Sequence, residues 1–209
     1  MIHVFHGFLG SPEDFDFMKR NDVIVHDLYN MASFPAITSE DTLIGYSMGG
    51  RIALEIAEAN QYNVKKVVLI NAHPGLETEE EKINRAQFET TIINELKARS
   101  LSDFMDYWNN LPIFFHDAPL KLNDEERFQK SSEIFDKYRL SRQKNHLPAI
   151  IQHKEKVLFI VGLFDEKYMD LVSEILIPNE VPVKGIPGGH RLFQQGPELM
   201  HVLKEEGIL

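Results

Sequence analysis

Short apolar runs alternate along the chain with longer amphipathic stretches. Ile2 to Phe5, Val23-Ile24-Val25, Thr42-Leu43-Ile44, Val67 to Ile70 and Val157 to Val161 lack a regular polar alternation and are rich in β-branched and aliphatic residues. That pattern predicts strands buried on both faces, as in a parallel sheet, with a last strand near Val181 to Lys184. Between them, Ser11 as N-cap with Pro12 in the first position predicts a helix start. A further helix is predicted from Met48 to Asn60, where Ile52, Ala53, Ile56 and Ala57 recur at core-facing spacing, and a closing one from Pro197 to Glu205. The connection from Asp27 to Asp41 contains Pro35 and leaves room for a short helix at most. Strands alternating with helices imply an α/β fold with a doubly wound, mostly parallel sheet of about six strands and helices on both faces.

From about Gly75 to Asn145 the pattern changes. Glu79 to Ser100, Ser102 to Asn110 and Asp124 to Tyr138 carry charge and helical periodicity, with no strand among them. The expected organisation is a core of residues 1–74 and 146–209, with 75–145 as a helical cap over the C-terminal strand ends, where such sheets bind ligands. The acidic run Glu77 to Glu81 suits a helix start. Of Phe104, Met105, Tyr107, Trp108, Phe114 and Phe115, about half are expected to pack the cap and the others to line an apolar pocket.

Composition narrows the function classes. The 209 residues suit one domain with an insertion. A net charge of −10 argues against nucleic acid or an anionic membrane as partner. The absence of cysteine excludes disulfides, thiolate metal sites and cysteine nucleophiles. His3 and His6 face opposite ways on a strand, so no metal site is expected, and no cofactor is expected either. The N-terminus lacks the pattern of a signal peptide and no apolar run reaches membrane-spanning length. A cytoplasmic monomer acting on a small molecule is the default expectation.

The chemistry centres on Gly45-Tyr46-Ser47-Met48-Gly49, set between a predicted strand and a predicted helix. A strand that turns sharply into a helix strains its corner residue and exposes it, and flanking glycines let helix and strand approach. Ser47 is that corner. The Met48 amide lies at the helix N-terminus, suited to receive an oxyanion. His6-Gly7-Phe8-Leu9-Gly10 after the first strand offers the Phe8 amide as a second donor, although an ordinary glycine turn reads the same way in isolation. Asp165 follows one late strand and His190 the last, giving the order serine, acid, histidine. In such a set the imidazole takes the serine proton, and the acid fixes its tautomer and stabilises its charged form.

Taken with His73-Pro74-Gly75-Leu76, Tyr46-Ser47-Met48-Gly49-Gly50-Arg51, Gly162-x-x-Asp165-x-Lys167-Tyr168 and Gly189-His190, these stretches resemble the 2-succinyl-6-hydroxy-2,4-cyclohexadiene-1-carboxylate synthases of menaquinone biosynthesis, within the α/β-hydrolase superfamily. The resemblance implies an α/β-hydrolase fold and a lyase that eliminates pyruvate from a succinyl-cyclohexene carboxylate, with Ser47, Asp165 and His190 as the basic triad. It also implies Phe8 and Met48 as oxyanion donors, and Tyr46, Arg51, Arg85 and Trp108 as substrate-binding residues. A further cap arginine of the family falls on Ile134 in an ungapped reading, and Arg139 or Arg142 could take its place only with a shift of the helices. The alternative is a small carboxylesterase or thioesterase that uses the same triad through an acyl-enzyme.

Overall fold

The computed structural model describes residues 1–209. The apolar runs form β1 (Ile2–Phe5), β2 (Val23–His26), β3 (Thr42–Tyr46), β4 (Lys66–Ile70), β5 (Val157–Gly162) and β6 (Val183–Ile186). They make one sheet in the order β2-β1-β3-β4-β5-β6, with every neighbouring pair parallel. Four of the six behave as the sequence predicts. β2 is not buried as expected: it is an edge strand, with Ile24 41% exposed. β6 begins two residues later than expected, because Pro182 has no N–H to give to the ladder and pairing starts at Val183 against Phe159.

The sheet reverses its winding between β1 and β3. After β1, two 3-10 turns over Pro12–Met18 pack Phe15 and Met18 onto one face, where α7 (Gly196–Glu205) adds Leu199 and Leu203. The sequence predicts an ordinary helix start at Ser11, but the segment stays in 3-10 form with a kink at Phe15. After β3, α1 (Met48–Ala59) lays Ile52, Ala53, Ile56 and Ala57 on the other face. Connections that leave in opposite directions open a crevice at the strand ends between them. The β2–β3 connection crosses without a helix.

Between β4 and β5 the chain is helical: α2 (Glu79–Ala98), α3 (Leu101–Asn109), α4 (Glu125–Lys137) and the short α5 (Leu147–Gln152), which the sequence pattern does not reveal. Ile92, Ile93, Leu96, Phe104, Met105, Phe128 and Phe135 form a separate apolar cluster that also takes in Leu9, from the loop after β1. The buried Glu89 ties α2 to the turn that follows α4. Its carboxylate accepts from Arg85 Nε, the Leu140 and Ser141 amides and Ser141 Oγ. Another unanticipated helix, α6 (Glu166–Leu171), starts directly after Asp165. No helix is long and apolar enough to cross a membrane.

Candidate active site

β3 runs into α1 with a single residue at the corner. Ser47 has φ 52° and ψ −112°, a left-handed backbone that side chains rarely adopt. The corner is held because the Ser47 amide donates to Ile70 O at 2.9 Å and because α1 lies almost on top of β3. A Cβ at Gly45 would stand 2.4 Å from Gly49 O and from the Gly50 Cα, so the close approach requires glycine there.

Three loops bring the expected polar residues together. His190, in the loop after β6, places Nε2 3.1 Å from Ser47 Oγ and Nδ1 2.6 Å from Asp165 Oδ2. With Nδ1–H donating to the carboxylate, Nε2 faces the serine as an acceptor. Asp165 is buried at the end of β5, and the His190 ring is packed by Tyr46, Phe114 and Tyr168. The backbone N–H groups of Phe8 and Met48 donate to no protein acceptor, and both residues border the same cavity as Ser47.

That cavity measures about 590 Å³ and takes in all nine residues expected from sequence: Phe8, Tyr46, Ser47, Met48, Arg51, Arg85, Trp108, Asp165 and His190. Phe8, Trp108 and Phe135 make its aromatic wall, with Phe8 edge-on to both others. Trp108, Phe114 and Phe115 line the cavity, while Phe104 and Met105 pack the separate apolar cluster of the helical segment and Tyr107 leans on it, much as the aromatic pattern suggests.

One part of the lining is cationic. Arg51 is buried and makes one hydrogen bond, from Nη1 to Tyr138 O at 2.6 Å. Burial, with Arg85 nearby, pushes its guanidinium down to about 10. Arg85 shares Glu89 with the backbone amides already named. Lys167 and His73 line the same part, although neither is among the residues expected from sequence. Lys167 is open to the cavity but ringed by protein; that desolvation and Arg85 push it down to about 8. His73 accepts the Gly75 amide at Nδ1, and desolvation, followed by Lys167, Arg85 and Arg51, keeps it neutral with a value near 3. Arg139 and Arg142 do not reach the cavity: both pair with Asp136, and Ile134 packs against the main core.

The chain is similar to several known proteins. The family described as alpha/beta hydrolase fold matches residues 39–92. A putative 2-succinyl-6-hydroxy-2,4-cyclohexadiene-1-carboxylate synthase of Bacillus subtilis is 27% identical over 78% of this chain and 64% of its own length. One from Haemophilus influenzae is 37% identical over 71% of this chain and 62% of its own. The chain thus spans less than two thirds of the length of these relatives. Among solved structures, MenH from S. aureus superposes with a TM-score of 0.76 at 22% identity, covering 99% of this chain and 94% of that one. A carboxylesterase from Nitrososphaera gargenis does so with a TM-score of 0.66 at 16% identity, covering 99% and 89%.

Proposed function

We propose that this chain, a member of the α/β-hydrolase superfamily that resembles the cyclohexadiene carboxylate synthases, is a lyase eliminating pyruvate from a succinyl-cyclohexene carboxylate in menaquinone biosynthesis. The observation that carries the reading is the cationic part of the cavity lining. Arg51, Arg85 and Lys167 converge there beside Ser47 and His190, and only Arg85 has a carboxylate partner within the protein. Such an arrangement suits a substrate with more than one carboxylate, which guanidinium groups bind as planar forks. An esterase for neutral substrates has no use for it.

In this reading the Ser47–His190 pair removes a proton from a ring carbon next to a carbonyl. The electron pair left behind forms the new ring double bond as the bond from a ring carbon to the ether oxygen breaks; that oxygen leaves with the bonding pair as the enolate of pyruvate, which takes up the proton that His190 carries. Asp165 stabilises the imidazolium formed, and the Phe8 and Met48 amides hold the negative charge that develops on the carbonyl oxygen. The carboxylates on Arg51, Arg85 and Lys167 orient the ring so that the acidic C–H faces His190. No covalent intermediate forms. We take residues 75–145 as the cap that supplies the aromatic wall, Arg85 and Trp108, and keeps bulk water from the base.

The carboxylesterase or thioesterase reading has one observation in its favour: Ser47 Oγ lies 3.1 Å from His190 Nε2, a distance that suits acyl-enzyme formation equally well. Pyruvate release from the cyclohexene carboxylate, run beside hydrolysis of a short activated ester in wild type and Ser47→Ala, separates the two. Serine-dependent pyruvate release with weak ester cleavage is expected. Ester cleavage without pyruvate would move the protein to the hydrolases.

A further inference from the structure

The loop that carries His190 is gripped from two sides. From the core, Asn71 after β4 donates Nδ2 to Gly189 O at 3.1 Å and to His190 O at 2.8 Å, while its Oδ1 accepts the Gly162 amide. The loop's N–H groups point the other way and meet a single side chain from the helical segment. Asp117 Oδ2 accepts the His190 amide at 3.0 Å and Oδ1 accepts the Arg191 amide at 3.1 Å. A buried backbone N–H needs an acceptor, and an ionised one binds it more strongly than a carbonyl does.

The seam around this pair is continuous. Arg191 donates Nη1 to Ala118 O and lays its guanidinium over the Phe114 ring at 4.0 Å. The Gln194 side-chain amide accepts from the Ala118 N–H and donates to the Ala118 carbonyl. The carboxylate also explains a glycine. A Cβ at Gly189 would meet Asp117 at 2.5, 2.9 and 3.1 Å, and its three nearest neighbours are all carboxylate atoms. Gly189 has no left-handed backbone to account for it, so the space is reserved for Asp117. The segment holding Asp117 also bears Phe114, Phe115 and His116, which wall the cavity.

We propose that Asp117 is a positioning residue: from the helical segment it sets the His190 backbone, and through it the imidazole, against Ser47. The base is then in register only while residues 112–118 are seated on the His190 loop, which couples the wall of the pocket to its chemistry. This rests on Ser47, His190 and Asp165 being the reactive set, and not on which substrate they serve.

Labelling of Ser47 by a fluorophosphonate tests it, because the rate needs only a serine activated by His190. In Asp117→Ala the maximal labelling rate should fall by 10- to 100-fold, on the order expected for a displaced catalytic group, with the probe's half-saturation unchanged. Asp117→Asn, which keeps a carbonyl oxygen for one amide, should fall between it and wild type. Gly189→Ala should match Asp117→Ala by pushing the carboxylate away, and the double variant should be no worse than either single one, the signature of two changes in one contact. Rates are taken per active site below each variant's melting temperature, so a merely structural loss would leave them unchanged. Where Asp117→Ala does not fold, Asp117→Asn and Gly189→Ala carry the test. Wild-type labelling rates in Asp117→Ala or Asp117→Asn, or losses that multiply in the double variant, would overturn the proposal. A wild type that labels at Ser47 yet releases no pyruvate refutes the synthase reading and leaves this one standing.

Discussion

Replacing Arg51 by methionine should make the protein more stable and its carboxylate binding worse. Arg51 is 9% exposed, makes one hydrogen bond, to Tyr138 O, and forms no salt bridge. Burial holds its guanidinium near 10, against 12.5 in water, so keeping it charged at neutral pH destabilises the fold by about 3 kcal/mol. Methionine removes that penalty with similar length but leaves the Tyr138 carbonyl without its donor, which costs about 1–2 kcal/mol. The balance is a gain of about 1–2 kcal/mol, or a rise of about 2–8 °C in melting temperature for a chain of this size. A bound carboxylate, by contrast, loses its charged partner, a loss of about 2–5 kcal/mol and about 30- to 4000-fold in kcat/KM. Thermal melts followed by circular dichroism, with and without a dicarboxylate such as succinate, read both effects. The ligand should raise the wild-type melting temperature and leave that of Arg51→Met unmoved. A variant that melts well below wild type would mean that the charge is compensated inside the protein, and an unchanged kcat/KM would mean that Arg51 does not meet the substrate.

Lys167 sets a pH limit on the same part of the cavity lining. With the ammonium held near 8, its charge is present below that value and lost as pH rises through it, so affinity for a carboxylate substrate should weaken between about pH 7.5 and 9 and become flatter with pH in Lys167→Met, as KM profiles would reveal. The pair between Arg127 and Asp27 fastens α4 to the end of β2, with bonds of 2.9 and 3.0 Å and a third from Arg127 Nη1 to Gly10 O. Arg127→Ala should destabilise the protein by about 1–3 kcal/mol, between the values for exposed and buried pairs, in denaturant titrations. His6 first, and then Arg127, hold the Asp27 carboxyl well below the usual carboxylate range. Its contribution is therefore whole above about pH 4 and lost as pH falls below that, so the acid-unfolding midpoint should rise in Arg127→Ala.

Apart from the i,i+4 pair of Arg85 with Glu89, the side-chain pairings that join the helical segment to the sheet and its loops span separations that local patterning does not cover. Asp117 reaches 73 residues to the His190 amide, Arg127 reaches 100 residues to Asp27, and, within the helical segment, Glu89 reaches 51 to Leu140. Acid and base at such distances look like solvated surface until the fold closes on them. Arg139 and Arg142 differ: their partner Asp136 is three and six residues away, a local acid that turns both arginines from the cavity. Distance also hides Lys167 and His73, whose part in the pocket depends on two strand ends lying side by side.

Legible in the sequence were four of the six strands, the order of serine, acid and histidine, and nine of the residues that line the pocket. An uninterrupted β-branched run such as Val67 to Ile70 favours a strand buried on both faces, and residues that follow strands of a parallel sheet collect at one edge. Tertiary structure decided that β2 is exposed at an edge, where β6 begins, and that Arg51 and Lys167 lie together in the cavity with no carboxylate paired to either. The physical reason is range. Hydrophobic periodicity acts between residues close in sequence, whereas a side chain's charge, burial and partners are set by whatever the closed fold brings within a few ångströms of it.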